Sequence, residues 1–107
     1  MDKRPDPQTM SLLREHLDFL RSEFSPEKLL LFGSRARGDH LMQSDIDLLV
    51  VSKKFEDIPF RERMIRAYGM WDKKEDLEQI CYTPKEFEEM AKRHGIVSQA
   101  VREGILL

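Results

Sequence analysis

The chain has 107 residues, 36% of them charged, and a formal net charge of -2. That length fits one folded domain with one core, expected over 1–107, and the near-neutral balance excludes a strongly basic nucleic-acid footprint. Cys81 is the only cysteine, so no intramolecular disulfide can form, and no apolar run approaches the roughly 20 residues that span a bilayer. The polar start, MDKRPDPQTM, carries no apolar signal segment. The expectation is a reduced, cytoplasmic protein with its charge on a solvated surface.

Residues 7–24 predict a helix, because Met10, Leu13, Leu17, Leu20 and Phe24 recur three and four apart and form one stripe. Asp6 can cap it, Pro7 suits its first turn, and Ser25-Pro26 stops it. KLLLFGS then reads as a short strand ending at Gly33, and SRARGDHLMQ as a short helix or turn. DIDLLVVS is a second strand whose continuous apolar run suits a buried position. From Pro59 to Lys73 the pattern predicts a helix with Phe60, Met64, Tyr68 and Trp71 on one core-facing side, weakened somewhat by Gly69. DLEQICYT is a third strand. TPKEFEEMAKRHG is a punctuated helix, with Thr83 as cap, Pro84 first, Glu86 closing a capping box and Gly95 as stop. A last helix covers 96–103, and GILL closes the chain. This order implies an α/β (α+β) domain.

The chemistry concentrates between the first two strands. Asp45 and Asp47 are two apart, so on a strand both leave one face while Ile46 and Leu48 leave the other. Adjacent carboxylates repel and raise each other's pKa. A divalent cation relieves this, and Mg²⁺ is usually held by one or two carboxylates plus substrate phosphates. Gly33 lets backbone approach a phosphate closely, and the Ser34 hydroxyl can donate to its oxygens. Helical N–H groups after Ser34 would favour an anion as well. Arg35 and Arg37 add positive charge, and spacing alone does not say which turns inward.

Taken together, GSRARG followed by SDIDLLV resembles the nucleotidyltransferase signature of the DNA polymerase beta superfamily. It is most similar to the minimal nucleotidyltransferases (MNT) of bacteria and archaea. The likeness is close over Leu29–Val51 and extends more loosely through YTPKEFEEM to AVREGILL. It implies a polymerase-beta-like fold, a small mixed sheet of three to four strands flanked by helices. It also implies two Mg²⁺ ions on Asp45 and Asp47, and ATP as the nucleoside triphosphate. Gly33 and Ser34 would cradle its β- and γ-phosphates, with Arg37 in the nucleotide-binding set. An acceptor hydroxyl would displace pyrophosphate in line from the α-phosphorus.

Relatives carry a third carboxylate, usually an aspartate about five residues before the Thr-Pro of the next helix. Here that position is Glu78, and Asp76 is the other candidate. Both share a strand face with Ile80 and Tyr82. Glu78 is preferred because Asp76 lies nearer the strand start. A glutamate is one methylene longer, which can shift metal geometry.

A bare catalytic domain leaves the far side of such a site open, so a second copy or a partner protein is expected to complete it. The resemblance implies a small helical HEPN toxin as that partner, silenced by transfer of AMP to a tyrosine, with the present chain as antitoxin. The alternative is an antitoxin that neutralises its partner by contact, with a weakened site. Transfer to a small molecule such as an aminoglycoside lacks an acceptor domain, and neither membrane nor nucleic acid is an expected partner. His16, His40 and His94 show no helical ligand spacing, while Cys81, Tyr68 and Trp71 read as core and Lys53-Lys54 as a solvated pair.

Overall fold

The computed structural model describes residues 4–41 and 43–107; the first three residues of the polar N-terminus and Met42 lie outside the described residues. Helix α1 spans Pro7–Phe24, with Asp6 as its cap accepting from the Thr9 N–H. Ser25, left-handed at φ 43°, ends it by donating its N–H to the Arg21 carbonyl. The predicted stripe is the buried one: Leu13, Leu17, Leu20 and Phe24 are all in the core. Full burial of such a side chain contributes about 1.5–3 kcal/mol, so this stripe, rather than intrinsic helix propensity, holds α1 in place.

Among the described residues, four strands form one mixed sheet in the order β3-β2-β1-β4. They are β1 (Lys28–Phe32), β2 (Ile46–Val51), β3 (Leu77–Tyr82) and β4 (Ile105–Leu106). β1 is antiparallel to β2 and β4, and β2 is parallel to β3. Between β1 and β2 lies one helical turn, α2 (Ser34–Arg37). The parallel pair needs a long crossover, which a 3-10 turn at Lys53–Phe55 and helix α3 (Phe60–Tyr68) provide. Helices α4 (Pro84–Ala91) and α5 (Ile96–Glu103) follow β3.

Period-2 alternation sends each strand's side chains to two cores. Leu29, Leu31, Ile46, Leu48, Val50, Leu77 and Cys81 join α1 and Ala67 of α3 on one side. Leu30, Phe32, Leu49 and Val51 pack with Val97 and Ala100 of α5 on the other, where Phe87 and Met90 of α4 also reach. The sheet is thus a shared middle layer.

Two predicted elements are corrected. The helix expected to reach Lys73 ends at Tyr68, because Gly69 turns the chain at φ +59° against the Phe19 ring, where a Cβ would stand 2.7 Å from ring carbon. Its buried residues are Arg63 and Ala67, whereas Phe60 and Tyr68 are exposed. Arg63 can occupy a core position because its Nε donates to the Ile58 carbonyl (2.8 Å) and its Nη1 to Glu86 Oε1 (2.6 Å) and the Cys81 carbonyl (3.3 Å). Trp71 lies beyond the helix, half-buried, donating its indole N–H to the Glu75 carbonyl at 2.8 Å. Helix α4 has the expected capping box between Thr83 and Glu86 but stops at Ala91, short of Gly95.

Candidate active site

The register brings three elements to one end of the sheet. Asp47 is opposite Phe32, the last residue of β1, on one side and opposite Glu78 of β3 on the other. Asp47 and Glu78 leave the sheet on the same face, with their carboxyl groups close enough to act on each other. Gly33 follows Phe32 at φ +74°, and a methyl group on it would overlap Asp47 Oδ2. Glycine is therefore required twice over, by the backbone angle and by the approach of the carboxylate.

The half-buried Asp47 carboxyl is pushed up from 3.8 to about 7. Burial is the leading cause, followed by the hydrogen bond and negative charge of Glu78 and then by Asp45; Arg37 pulls weakly the other way. Asp45 stands in the exposed arm just before β2, not on the strand itself. Asp76 contributes its carbonyl to the Ile46 N–H at 2.8 Å, and its carboxylate is not among the groups acting on Asp47. Glu78, not Asp76, is the acidic residue of β3 beside the pair. Among the described residues, no three His, Cys, Asp or Glu side chains are gathered closely enough to hold an ion as they stand.

Ser34 opens α2, and its carbonyl accepts from the N–H groups of Gly38 (2.8 Å) and Asp39 (3.2 Å). With one turn only, α2 offers backbone donors rather than a long helix dipole. The arginine question is resolved by burial. Arg35 is 1% exposed, whereas the Arg37 side chain is 40% exposed and pairs with Asp39 (3.1 Å) and Glu103 of α5 (3.2 Å). Arg37 is thus on the solvent side, near enough to Asp47 for its charge to be felt. The inward Arg35 was not readable, since two arginines two apart in a single turn carry no periodicity.

Burial pushes the Cys81 thiol up to about 12, outweighing the nearby Arg63 charge; such a thiol is inert at neutral pH. Burial lowers the pKa of His16, against a hydrogen bond with Gln79 Oε1 at 2.8 Å. His40 lies 3.3 Å from Asp6 and His94 is exposed.

The sequence profile of the nucleotidyltransferase domain family matches residues 13–107, and the chain belongs to that family. It is 44% identical over 62 residues to "Putative protein adenylyltransferase MJ0604" of Methanocaldococcus jannaschii, covering 54% of this chain and 62% of the relative. "Putative protein adenylyltransferase MJ0141" of the same organism is 31% identical over 51 residues, 48% of this chain and 52% of the relative. The chain spans about half the length of the curated relatives it matches. A crystal structure described as a putative nucleotidyltransferase from Sulfolobus solfataricus superposes with a TM-score of 0.65 at 27% identity, covering 92% of this chain and 78% of that one. BolA1 from Arabidopsis thaliana shares the fold alone, with a TM-score of 0.53 at 18% identity over 70% of this chain and 94% of its own. No described helix is long and apolar enough to cross a membrane.

Proposed function

We propose that this domain transfers AMP from ATP to a hydroxyl on a protein side chain, with Mg²⁺ held by Asp45, Asp47 and Glu78. The observation that carries the reading is Asp47. Its carboxyl is forced against Glu78 and the Gly33 backbone and raised to about 7. Carboxylate oxygens are the donors a hard divalent cation takes, and bringing Asp45, exposed before β2, toward Asp47 and Glu78 would complete the set. When bound, the metal supplies charge neutralisation for the triphosphate and activation of the attacking hydroxyl. Gly33 leaves room for the Asp47 carboxylate, Ser34 donates its hydroxyl to a β- or γ-phosphate oxygen, and Arg37 exchanges its carboxylate partners for phosphate. In the reaction the acceptor oxygen bonds to the α-phosphorus, pyrophosphate leaves with the electrons of the broken P–O bond, and the hydroxyl proton is lost to solvent.

Three further points complete the reading. The acceptor is a protein, consistent with the names of the curated relatives. The partner is a small helical HEPN toxin silenced by the modification, which makes this chain an antitoxin, and this rests on the family resemblance. A reduced cytoplasmic setting agrees with the single buried thiol. The test is incubation of the domain and its partner with ATP labelled at the α- or γ-phosphate. Label from the α-position is expected in the partner, only with Mg²⁺, and not with an Asp45→Asn/Asp47→Asn double variant. Transfer of γ-label, or neutralisation of the partner that is unchanged in the double variant, would replace this reading with phosphorylation or with inhibition by contact.

A further inference from the structure

Arg35 is among the largest fully buried side chains, on a turn whose other arginine faces solvent. Its Nε donates to the Ser44 carbonyl at 3.0 Å, and its Nη1 to the Thr9 hydroxyl at 2.9 Å. Thr9 is 0% exposed; its hydroxyl donates to Asp6 Oδ2 at 2.7 Å and its N–H to Asp6 Oδ1 at 2.9 Å. Ser44 in turn closes its own loop, accepting from the Leu41 N–H at 2.8 Å on Oγ. Arg35 is the neighbour of Ser34, and Ser44 is the neighbour of Asp45. The Arg35–Ser44 bond therefore spans from the glycine-serine turn to the acidic arm, and the α1 cap anchors it.

Burying a guanidinium is costly unless its donors are met in good geometry. A leucine would fill space at this position but could not fix a loop carbonyl and a helix hydroxyl at once. The planar fork of arginine does so, and a lysine would not. We infer that Arg35 is a positioning residue: through Ser44 it sets where Asp45 stands relative to Ser34, so that metal and triphosphate meet both. The inference rests on the nucleotidyltransferase reading above for its consequence, but not for its structural core.

The experiment uses Thr9→Val, Thr9→Ser and Arg35→Lys in the full chain, at a temperature where circular dichroism shows each folded. Amide exchange over 39–46 and Mn²⁺ affinity by electron paramagnetic resonance are measured, together with transfer kinetics. In Thr9→Val and Arg35→Lys, exchange over 39–46 is expected to rise about tenfold relative to distant segments, and Mn²⁺ to bind about tenfold more weakly. The transfer kcat should fall about tenfold to a hundredfold, more than KM for ATP rises. Thr9→Ser, which keeps the hydroxyl, should restore all three. Lowered thermal stability with unchanged exchange and Mn²⁺ affinity would make Arg35 a core plug and overturn the inference. If the unmodified chain binds no Mn²⁺ and transfers nothing, the functional reading has failed instead, and the inference about Asp45 placement falls with loop exchange that does not respond.

Discussion

Asp47 has Glu78 beside it, Asp45 two residues away and the Gly33 backbone against its carboxylate. Burial and these negative neighbours keep its proton on to about pH 7, whereas in the unfolded chain it leaves near 3.8. Between those values the folded state binds more protons than the unfolded one, so stability falls as pH rises through the window. Without divalent metal, urea unfolding should show the native chain losing stability between about pH 4 and pH 7 relative to Asp47→Asn. Adding Mg²⁺ at pH 8 should recover that loss in the native chain only. Parallel curves for the two would remove the strain assigned to Asp47. Glu78 supplies a second test at this scale, since it is paired with Asp47 across the sheet and acts on its carboxyl, and Asp76 does not. Glu78→Gln should keep ATP binding and slow transfer at least tenfold, a loss within what a misplaced reacting group costs. Glu78→Asp should retain activity, and Asp76→Asn should be nearly silent in the same assay. Equal losses in Glu78→Gln and Asp76→Asn would return the third carboxylate to an open choice.

The elements differ in how plainly the sequence announces them. α1 was legible to its last residue because its stripe is apolar, its cap is an aspartate and Ser25-Pro26 cannot continue it. Glycine-serine and Asp-x-Asp were legible because strand ends flank them. The inner face of α3 was legible only in part: Met64 and Trp71 do pack against the core, but the residues buried on the helix are Arg63 and Ala67, and Phe60 and Tyr68 are exposed. Periodicity counts apolar residues, and a charged side chain that finds its partners across space leaves no such mark. Arg63 links α3 to the Cys81 carbonyl and to Glu86, which also closes the α4 capping box. Arg63→Ala should therefore cost about 1–3 kcal/mol in urea unfolding, chiefly because it strands the Ile58 and Cys81 carbonyls that the buried guanidinium serves. Glu86→Gln should cost about 1 kcal/mol or less, because its end of the pair is partly in water and an amide oxygen still accepts. If Glu86→Gln proves as damaging as Arg63→Ala, the ion pair and not the carbonyl contacts is what joins these elements.

At the scale of the molecule, one sheet serves two cores, and the candidate site is assembled from the end of β1 and the starts of β2 and β3. No single element carries it, so whatever binds there binds only the folded chain. Ligand binding must then appear as global stability, by RT ln(1 + [L]/Kd), which is about 2.7 kcal/mol at a hundredfold excess over Kd. For a domain of this size each kcal/mol moves the Tm by about 4–8 °C. Saturating ATP with Mg²⁺ should therefore raise the Tm by about 10 °C or more. ATP with a chelator should raise it far less, because Asp45, Asp47 and Glu78 then face the phosphates as bare negative charge. Ser34→Ala should reduce the shift given by ATP with Mg²⁺ more than that given by AMP, since its hydroxyl is assigned to the β- and γ-phosphates and one charge-assisted hydrogen bond is worth about 1.5–3 kcal/mol. An equal shift from ATP with and without Mg²⁺ would mean that the triphosphate is held without a metal bridge, and the acidic arm would need another role.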